Sequence, residues 1–398
     1  MSRPGSSVDE KGVNQNGDPG GHLSVFSNTH TAALTTEIRL LSAFKRDTQA
    51  RKVYLAGREY YSEEGKTFEP HLVGKIKQQL SADPTLHPEY PSSFGLVEFI
   101  RQATQVALGR SSRAIVENRV FGVQTPGFNA AVRLGAELLK HLCDVSAAWC
   151  GPVYLSFPCD DSLASIFQAA GIQDIPSAHY PTGADLSHNQ WAVIAELIMR
   201  RRLFPFLLLP AQALCYGDLE RDAWPVRYFA SQGIEVLCAQ SFSHCFGLYG
   251  EAVGHLLCIL KHNSLLLSVQ SQADKIVRSL WAQPSVGGAR VVATVLSNSA
   301  HLVEWQGDVK RIVERCMLIR AVLREKLRLL GTPGCWDHLT QQGGLFCCTG
   351  LNGQQVEFLS NCRHVYLLPS GCLNVSAINS RNLDYIAESI RLALTTSL

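Results

Sequence analysis

The chain carries no excess charge of either sign, with 36 Lys and Arg against 34 Asp and Glu. A protein that neutralises phosphates normally carries a clear basic excess, so nucleic acid is not an expected partner. Charged residues are also scarce, at 18% against a usual value of about 25%. With 46% hydrophobic residues, that scarcity excludes a disordered chain and implies buried faces. Long apolar runs are missing too: the most apolar stretch, Leu203 to Leu214, is too short for a bilayer and contains Pro205 and Pro210. Met1 to Gly21 has no apolar core, so neither a signal peptide nor a transit peptide is expected. The 13 cysteines include no Cys-x-x-Cys pair, adjacent Cys347 and Cys348 suit zinc poorly, and no His-Glu-x-x-His spacing occurs. Reduced thiols in a cytoplasmic protein, with no metal and no membrane, follow from these absences.

At 398 residues the chain exceeds what one core usually supports, which points to a large domain and a smaller one. Apolar runs alternate with helical patterns from Ser24 onward. Val153 to Phe157 predicts a short buried strand, Trp191 to Arg202 a helix, and Leu203 to Leu209 a strand with an awkward proline. Ala223 to Gln232 predicts a helix, and Ile234 to Cys238 and His255 to Leu260 predict strands. Strands separated by helix-length segments suggest crossover units and a mostly parallel sheet. Beyond Trp305 the pattern changes. Val309, Ile312, Val313, Cys316, Ile319, Val322, Leu323 and Leu327 trace one face of a long helix. Short strands follow at Leu345 to Cys348, Val365 to Leu368 and Leu373 to Ser376, then a last helix over Leu383 to Leu394.

Several stretches are long enough to be specific. They include Asp218-Leu219-Glu220-Arg221-Asp222-Ala223-Trp224 and Cys238-Ala239-Gln240-Ser241-Phe242-Ser243-His244-Cys245-Phe246-Gly247-Leu248-Tyr249. Others are Glu89-Tyr90, Gly122-Val123-Gln124, Lys275-Ile276-Val277-Arg278 and Tyr366-Leu367-Leu368-Pro369-Ser370-Gly371. From about Ser24 to the C-terminus the chain resembles aspartate aminotransferase of the cytosolic type, a pyridoxal-phosphate (PLP) enzyme of fold type I. The resemblance implies an α/β chain, with a mixed, mostly parallel sheet in a large domain and a small α+β domain. Expected boundaries are a disordered tail over 1–22, an N-terminal arm and part of the small domain over 23–46, the large domain over 47–311 and the small domain over 312–398. Between Ser177 and Ala178 several dozen residues of the family pattern are absent, including a helix and a strand, so a shortened large domain is expected.

The resemblance also assigns positions in the site. The Schiff-base lysine falls on His244, whose imidazole cannot make an imine with the PLP aldehyde, although it can exchange protons near neutral pH. The aspartate that pairs with the pyridine nitrogen falls on Leu208, and the tyrosine on the ring hydroxyl falls on Ala211. Without that carboxylate the ring is a weaker electron sink. The family asparagine falls on Tyr180, before retained Pro181-Thr182-Gly183, and the stacking tryptophan falls on Asp160. In the phosphate cup Gly127, Ser241, Ser243 and Tyr90 match, the last supplied across a dimer; a glycine becomes Phe128, a threonine Asn129 and the arginine Ala252. Loss of that guanidinium removes a charge-assisted contact of about 1.5–3 kcal/mol. The arginine for the distal carboxylate is kept as Arg278, while the one for the α-carboxylate falls on Cys372. A substrate-side glycine falls on Arg58, read either as a cation entering the pocket or as a solvated surface arginine.

Three functional expectations follow. One is transamination of L-aspartate and 2-oxoglutarate to oxaloacetate and L-glutamate, retained as a weak PLP-dependent activity. The second is a non-catalytic relative in which PLP is not held covalently and binds weakly or not at all. That form would take a dicarboxylate through Arg278 and pair with itself or a related aminotransferase, because Ser24-Val25-Phe26, Tyr90 and Arg278 resemble parts that cross between subunits. The third is an unstable shortened product.

Overall fold

The computed structural model describes residues 24–27, 29–31, 34–146, 152–155, 161–172 and 185–396. The expected tail over 1–22, Asp160, Tyr180 to Gly183 and the junction at Ser177 and Ala178 lie outside the described residues.

Eight strands are described: β1 (Val53–Tyr54), β2 (Val120–Pro126), β3 (Phe206–Leu209), β4 (Val236–Ser241), β5 (Val253–Ile259), β6 (Phe346–Cys348), β7 (Val365–Tyr366) and β8 (Cys372–Asn374). The central sheet has the order β2-β5-β4-β3. The expected mixed sheet is present, and its described pairings divide as one parallel (β3 with β4) and two antiparallel (β2 with β5, β4 with β5). The antiparallel share arises because β5 enters in reverse between β2 and β4. β2 has no counterpart among the predicted strands. Val153 to Phe157 does not form a named strand in its described part: Tyr154 is exposed and Leu155 makes only an isolated bridge.

Side-chain alternation along the buried strands builds a three-layer core. Leu237, Ala239, Leu256 and Cys258 face one side, packed with the helices Phe128–Ser146 and Leu266–Leu280. Val236, Cys238, Leu257 and Ile259 face the other, against the helices Trp224–Ser231 and His188–Arg201. Successive strand residues point to opposite faces, so a strand covered on both sides is apolar throughout. The helix His188–Arg201 begins with a reciprocal cap: the Ser187 hydroxyl accepts from the Gln190 amide, and the Gln190 side chain accepts from Ser187.

A third cluster surrounds the predicted long helix, observed as Ser299–Leu329 over 31 residues. Asn298 caps it by accepting from the amides of Ala300 and His301. This cluster joins Leu55, Phe246 and Trp305 to Leu339, Leu373 and Ile390, and the expected boundary at 311 falls inside the helix. β1 pairs with β7, and β6 with β8.

One buried polar chain crosses the central sheet. His255 Nδ1 bonds Gln240 Oε1 at 2.8 Å, and Gln240 Nε2 donates to Gln212 Oε1 at 3.1 Å. Complete burial holds the imidazole down to about 3. As pH falls below 6.5 the unfolded chain takes up this proton and the folded one does not, so stability drops between pH 6.5 and 3. At pH 5 the loss from this group is about 2 kcal/mol. Asp222, raised by burial to about 6, acts in the opposite sense between its unfolded value of 3.8 and 6. The test therefore compares wild type with His255→Met at each pH, where Asp222 cancels. Urea denaturation at pH 7 and pH 5 should show the variant losing less on acidification, and parallel pH profiles would refute the assignment.

Candidate active site

The C-terminal ends of β2, β3 and β4 meet the start of β5 at one edge of the sheet: Pro126 is opposite Val253, and Ser241 opposite Gly254. Such an edge is where open α/β sheets place ligands. The residues here come from four separate chain segments, and hydrogen bonds fix them.

Gly127 turns β2 into the helix Phe128–Ser146 with φ at +91°, a region glycine enters without strain. Its amide bonds the Thr125 carbonyl at 2.8 Å, and the Thr125 hydroxyl donates back to the Gly127 carbonyl at 2.9 Å. A side chain at Gly127 would lie 3.4 Å from the Ala252 methyl, so the Gly127 and Ala252 positions are adjacent. The Ser241 hydroxyl accepts the Ser243 amide at 3.3 Å, and the Ser243 hydroxyl accepts the Val253 amide at 3.3 Å. Each hydroxyl thus has its own proton left to donate. The first amides of a helix of 19 residues and these two hydroxyls are the donors that could form a partial anion cradle, and Ala252 adds no guanidinium to them. Phe128 packs against the core under the sheet, and Asn129 is exposed.

His244 lies in the turn after β4, its ring edge-on to Tyr249 at 6.0 Å. Its Nδ1 is buried and has no hydrogen-bond partner. Burial lowers its pKa from the ordinary value of 6.5, and the Arg58 charge adds to this; backbone contacts to Pro210 and Arg58 and the Glu59 carboxylate oppose it. The imidazole is therefore neutral at pH 7. Arg58 is half-exposed and ion-paired with Glu37 on the helix Thr36–Arg46, and its charge is felt at His244. Burial pushes Tyr249 up to about 12, and its hydroxyl accepts the Tyr60 amide at 3.1 Å.

Leu208 sits on β3 paired with Ala239, half-buried in the core, and Ala211 follows in the next turn. No charged group is offered at either position. The remaining predicted residues come from other elements. Cys372 is buried on β8 opposite Cys348. Arg278 is exposed in the last turn of the helix Leu266–Leu280 and pairs with Asp274 at 2.8 Å. Tyr90 is 90% exposed. A hollow of about 690 Å³ lined by Arg51, Lys52, Tyr54, Tyr61, Arg381 and Tyr385 shares no residue with the cradle. Among the described residues no group of three or more His, Cys, Asp or Glu could hold a metal, and no helix is long and apolar enough to cross a membrane.

The aminotransferase class I and II family pattern matches residues 174–390, more than half of the chain. This chain belongs to the class I and II aminotransferases. Among family members, the cytoplasmic aspartate aminotransferase of Gallus gallus is 38% identical over 94% of this chain and 98% of its own. The Mus musculus protein named "Putative aspartate aminotransferase, cytoplasmic 2" is likewise 38% identical, over the same shares. The aromatic-amino-acid aminotransferase of Burkholderia pseudomallei, solved with PLP covalently bound, superposes with a TM-score of 0.88 at 28% identity, covering 94% of this chain and all of that one. The fold is thus that of the PLP-dependent aminotransferases. In this member the residues that could meet the phosphate end of PLP are Gly127, Ser241, Ser243 and the neighbouring helix amides, and His244 offers no primary amine.

Sequence reasoning missed Gly254 and Tyr249. Gly254 stands in β5 where a side chain would strike the Gly127 carbonyl, and a glycine inside a strand pattern is a signal of close backbone approach. Tyr249 was visible only as part of a motif, because its contact with His244 is set by the turn between them.

Proposed function

We propose that this aminotransferase is a non-catalytic or strongly impaired relative of aspartate aminotransferase, cytoplasmic and dimeric. The observation that carries this is His244, a neutral imidazole on the turn that borders the cradle. It can accept a proton but cannot hold an aldehyde as an imine. Leu208 gives a pyridine nitrogen no charged partner, and Cys372 gives a carboxylate no two-pronged donor. PLP binding through Gly127, Ser241, Ser243 and the neighbouring helix amides would be non-covalent and weak, with Asn129 and Tyr90 as further contacts. A dicarboxylate amino or keto acid is the ligand class that Arg278 fits. The exposure of Phe26 (75%), Tyr90 and Arg278 supports a second copy, or a related aminotransferase, covering these residues. The division into a large part over 47–311 and a small part over 312–398 belongs to the same proposal.

The test mixes purified protein with PLP, records the visible spectrum, reduces with borohydride and maps any adduct. No single-site adduct and no coupled oxaloacetate production are expected from wild type. His244→Lys alone should also stay inactive, because the losses at Leu208, Ala252 and Cys372 act independently. A one-to-one adduct with turnover in wild type would overturn the proposal. That outcome would establish the alternative, a weakly active transaminase, which the retained set of Gly127, Ser241 and Ser243 favours.

A further inference from the structure

Cys348 and Cys372 are direct partners across the antiparallel pair β6 and β8. Their backbones do not bond to each other. The Cys348 amide donates to Gln342 Oε1 at 2.9 Å, and its carbonyl accepts from Gln342 Nε2 at 3.1 Å. The ladder bond lies one step along, from the Thr349 amide to the Gly371 carbonyl at 3.1 Å. This makes the cysteines a non-hydrogen-bonded pair, the kind in which the two Cα atoms stand about 4.5 Å apart and the side chains come closest. That spacing lies within the range a disulfide spans. Both sulfurs are on the same face of the ribbon, while Cys347 points to the other and is fully buried. Both are free thiols.

We propose that Cys348 and Cys372 form a redox-modification site, which a hydroperoxide oxidises to a cross-strand disulfide and a dithiol reduces. Cys348, half-buried, is the sulfur that solvent reaches, and Cys372, at 2% exposure, is the resolving partner. The hydrogen bond from the Cys372 thiol, the Gly350 amide and the nearby His338 hold Cys348 below the ordinary thiol range. The hydrogen bond to Cys348 and burial push Cys372 up, so its proton stays with it. A low thiol pKa beside a resolving cysteine is the pattern of oxidisable sites.

The chemistry balances. The Cys348 thiolate attacks one peroxide oxygen, the O–O bond breaks, and the departing oxygen leaves as water or an alcohol after taking a proton. Cys348 is then a sulfenic acid. The Cys372 sulfur attacks it, the S–O bond breaks, and the hydroxide leaves as water with the Cys372 proton. Two thiols lose two electrons and the peroxide gains them. A dithiol reverses the change, and its own sulfurs end as a disulfide. The oxidation needs neither PLP nor a substrate, so it does not rest on the proposed function, although Cys372 also stands at the position assigned to the α-carboxylate.

The test treats the full chain with hydrogen peroxide, blocks free thiols, digests with trypsin and sequences cross-linked peptides. Cleavage after Arg328, Arg363 and Arg381 places the two sulfurs in separate peptides, 329–363 and 364–381. The expected result is a cross-link between them, located by fragmentation at Cys348 and Cys372 and lost after dithiothreitol. In Cys372→Ser the cross-link disappears and Cys348 is captured by dimedone as its sulfenic acid; circular dichroism confirms that the variant is folded. The proposal is overturned if the cross-link runs to exposed Cys335 or Cys362, or if Cys348 stays unoxidised while those two react.

Discussion

Trp305→Ala is expected to lower the unfolding free energy by about 5 kcal/mol, the upper end for removing a buried tryptophan. Trp305 is fully buried on the helix Ser299–Leu329, and its indole stacks on Phe246 with ring centres 4.5 Å apart and planes at 13°. Its Nε1 donates to the Cys245 carbonyl at 2.8 Å. Truncation therefore opens a cavity in the largest core and leaves a buried carbonyl without a donor, and both effects are destabilising. Because Cys245 and Phe246 follow His244 directly, the loss should also loosen the turn that carries the imidazole. Trp305→Phe keeps a ring against Phe246 and loses mainly the hydrogen bond and some volume, so about 2 kcal/mol is expected. Urea denaturation at pH 7 measures both. A Trp305→Ala midpoint matching wild type would mean that this contact does not organise the core. A loss of this size is a large share of the 5–15 kcal/mol that typically holds a protein folded.

The fold was legible where periodicity was long. The spacing from Val309 to Leu327 marked one helical face, and the structure buries Val309, Val313, Cys316, Leu323 and Leu327 there. Val322, placed on the same face by the sequence, is 41% exposed, because neighbouring positions on a helix diverge by about 100°. Short segments were less legible. The run Leu203 to Leu209 becomes a strand only from Phe206, since Pro205 has no amide to donate, although its carbonyl still accepts from Leu237 at 3.2 Å. β2 was hidden because its middle holds Gly122 and Gln124, neither strand-forming by type. Gln124 is tolerated in the core because it accepts from Leu96 at 2.9 Å and donates to the Ser285 carbonyl at 2.6 Å, contacts far apart in sequence.

The candidate site was legible by resemblance for single positions and illegible for pairs. Motif matching could place His244, Ser241, Ser243 and Gly127, and the structure gathers these at one sheet edge. It could not show that Arg58 is held by Glu37, because an ion pair depends on where the helix Thr36–Arg46 packs. The partnership of Cys348 with Cys372 was hidden for a related reason: cross-strand register is fixed by the turn and by Gln342, and shifting β8 by one residue would send Cys372 to the opposite face.

The second large effect concerns the backbone under the cradle. A methyl group added at Gly254 would lie 2.3 Å from the Gly127 carbonyl oxygen, 2.5 Å from its carbon and 2.5 Å from the Thr125 hydroxyl. None of these can yield cheaply. The Gly127 carbonyl accepts from the Thr125 hydroxyl and from the Ala131 amide at 3.3 Å, while the Gly127 amide is tied to Thr125. Gly254 itself is clamped between Thr125 on β2 and Ser241 on β4. Gly254→Ala must therefore push the Gly127 turn outward, and a loss of about 3 kcal/mol is expected from overpacking against backbone. Gly74→Ala is the control, since the same methyl on the helix His71–Ser81 meets nothing within 4 Å. That change should be neutral or stabilise by up to about 1 kcal/mol through helix propensity. In urea the Gly254→Ala midpoint should fall while the Gly74→Ala midpoint holds or rises. Equal midpoints would show that β2 and β5 can separate without cost, and the Gly127 turn would then be too loose to serve as an anion cradle.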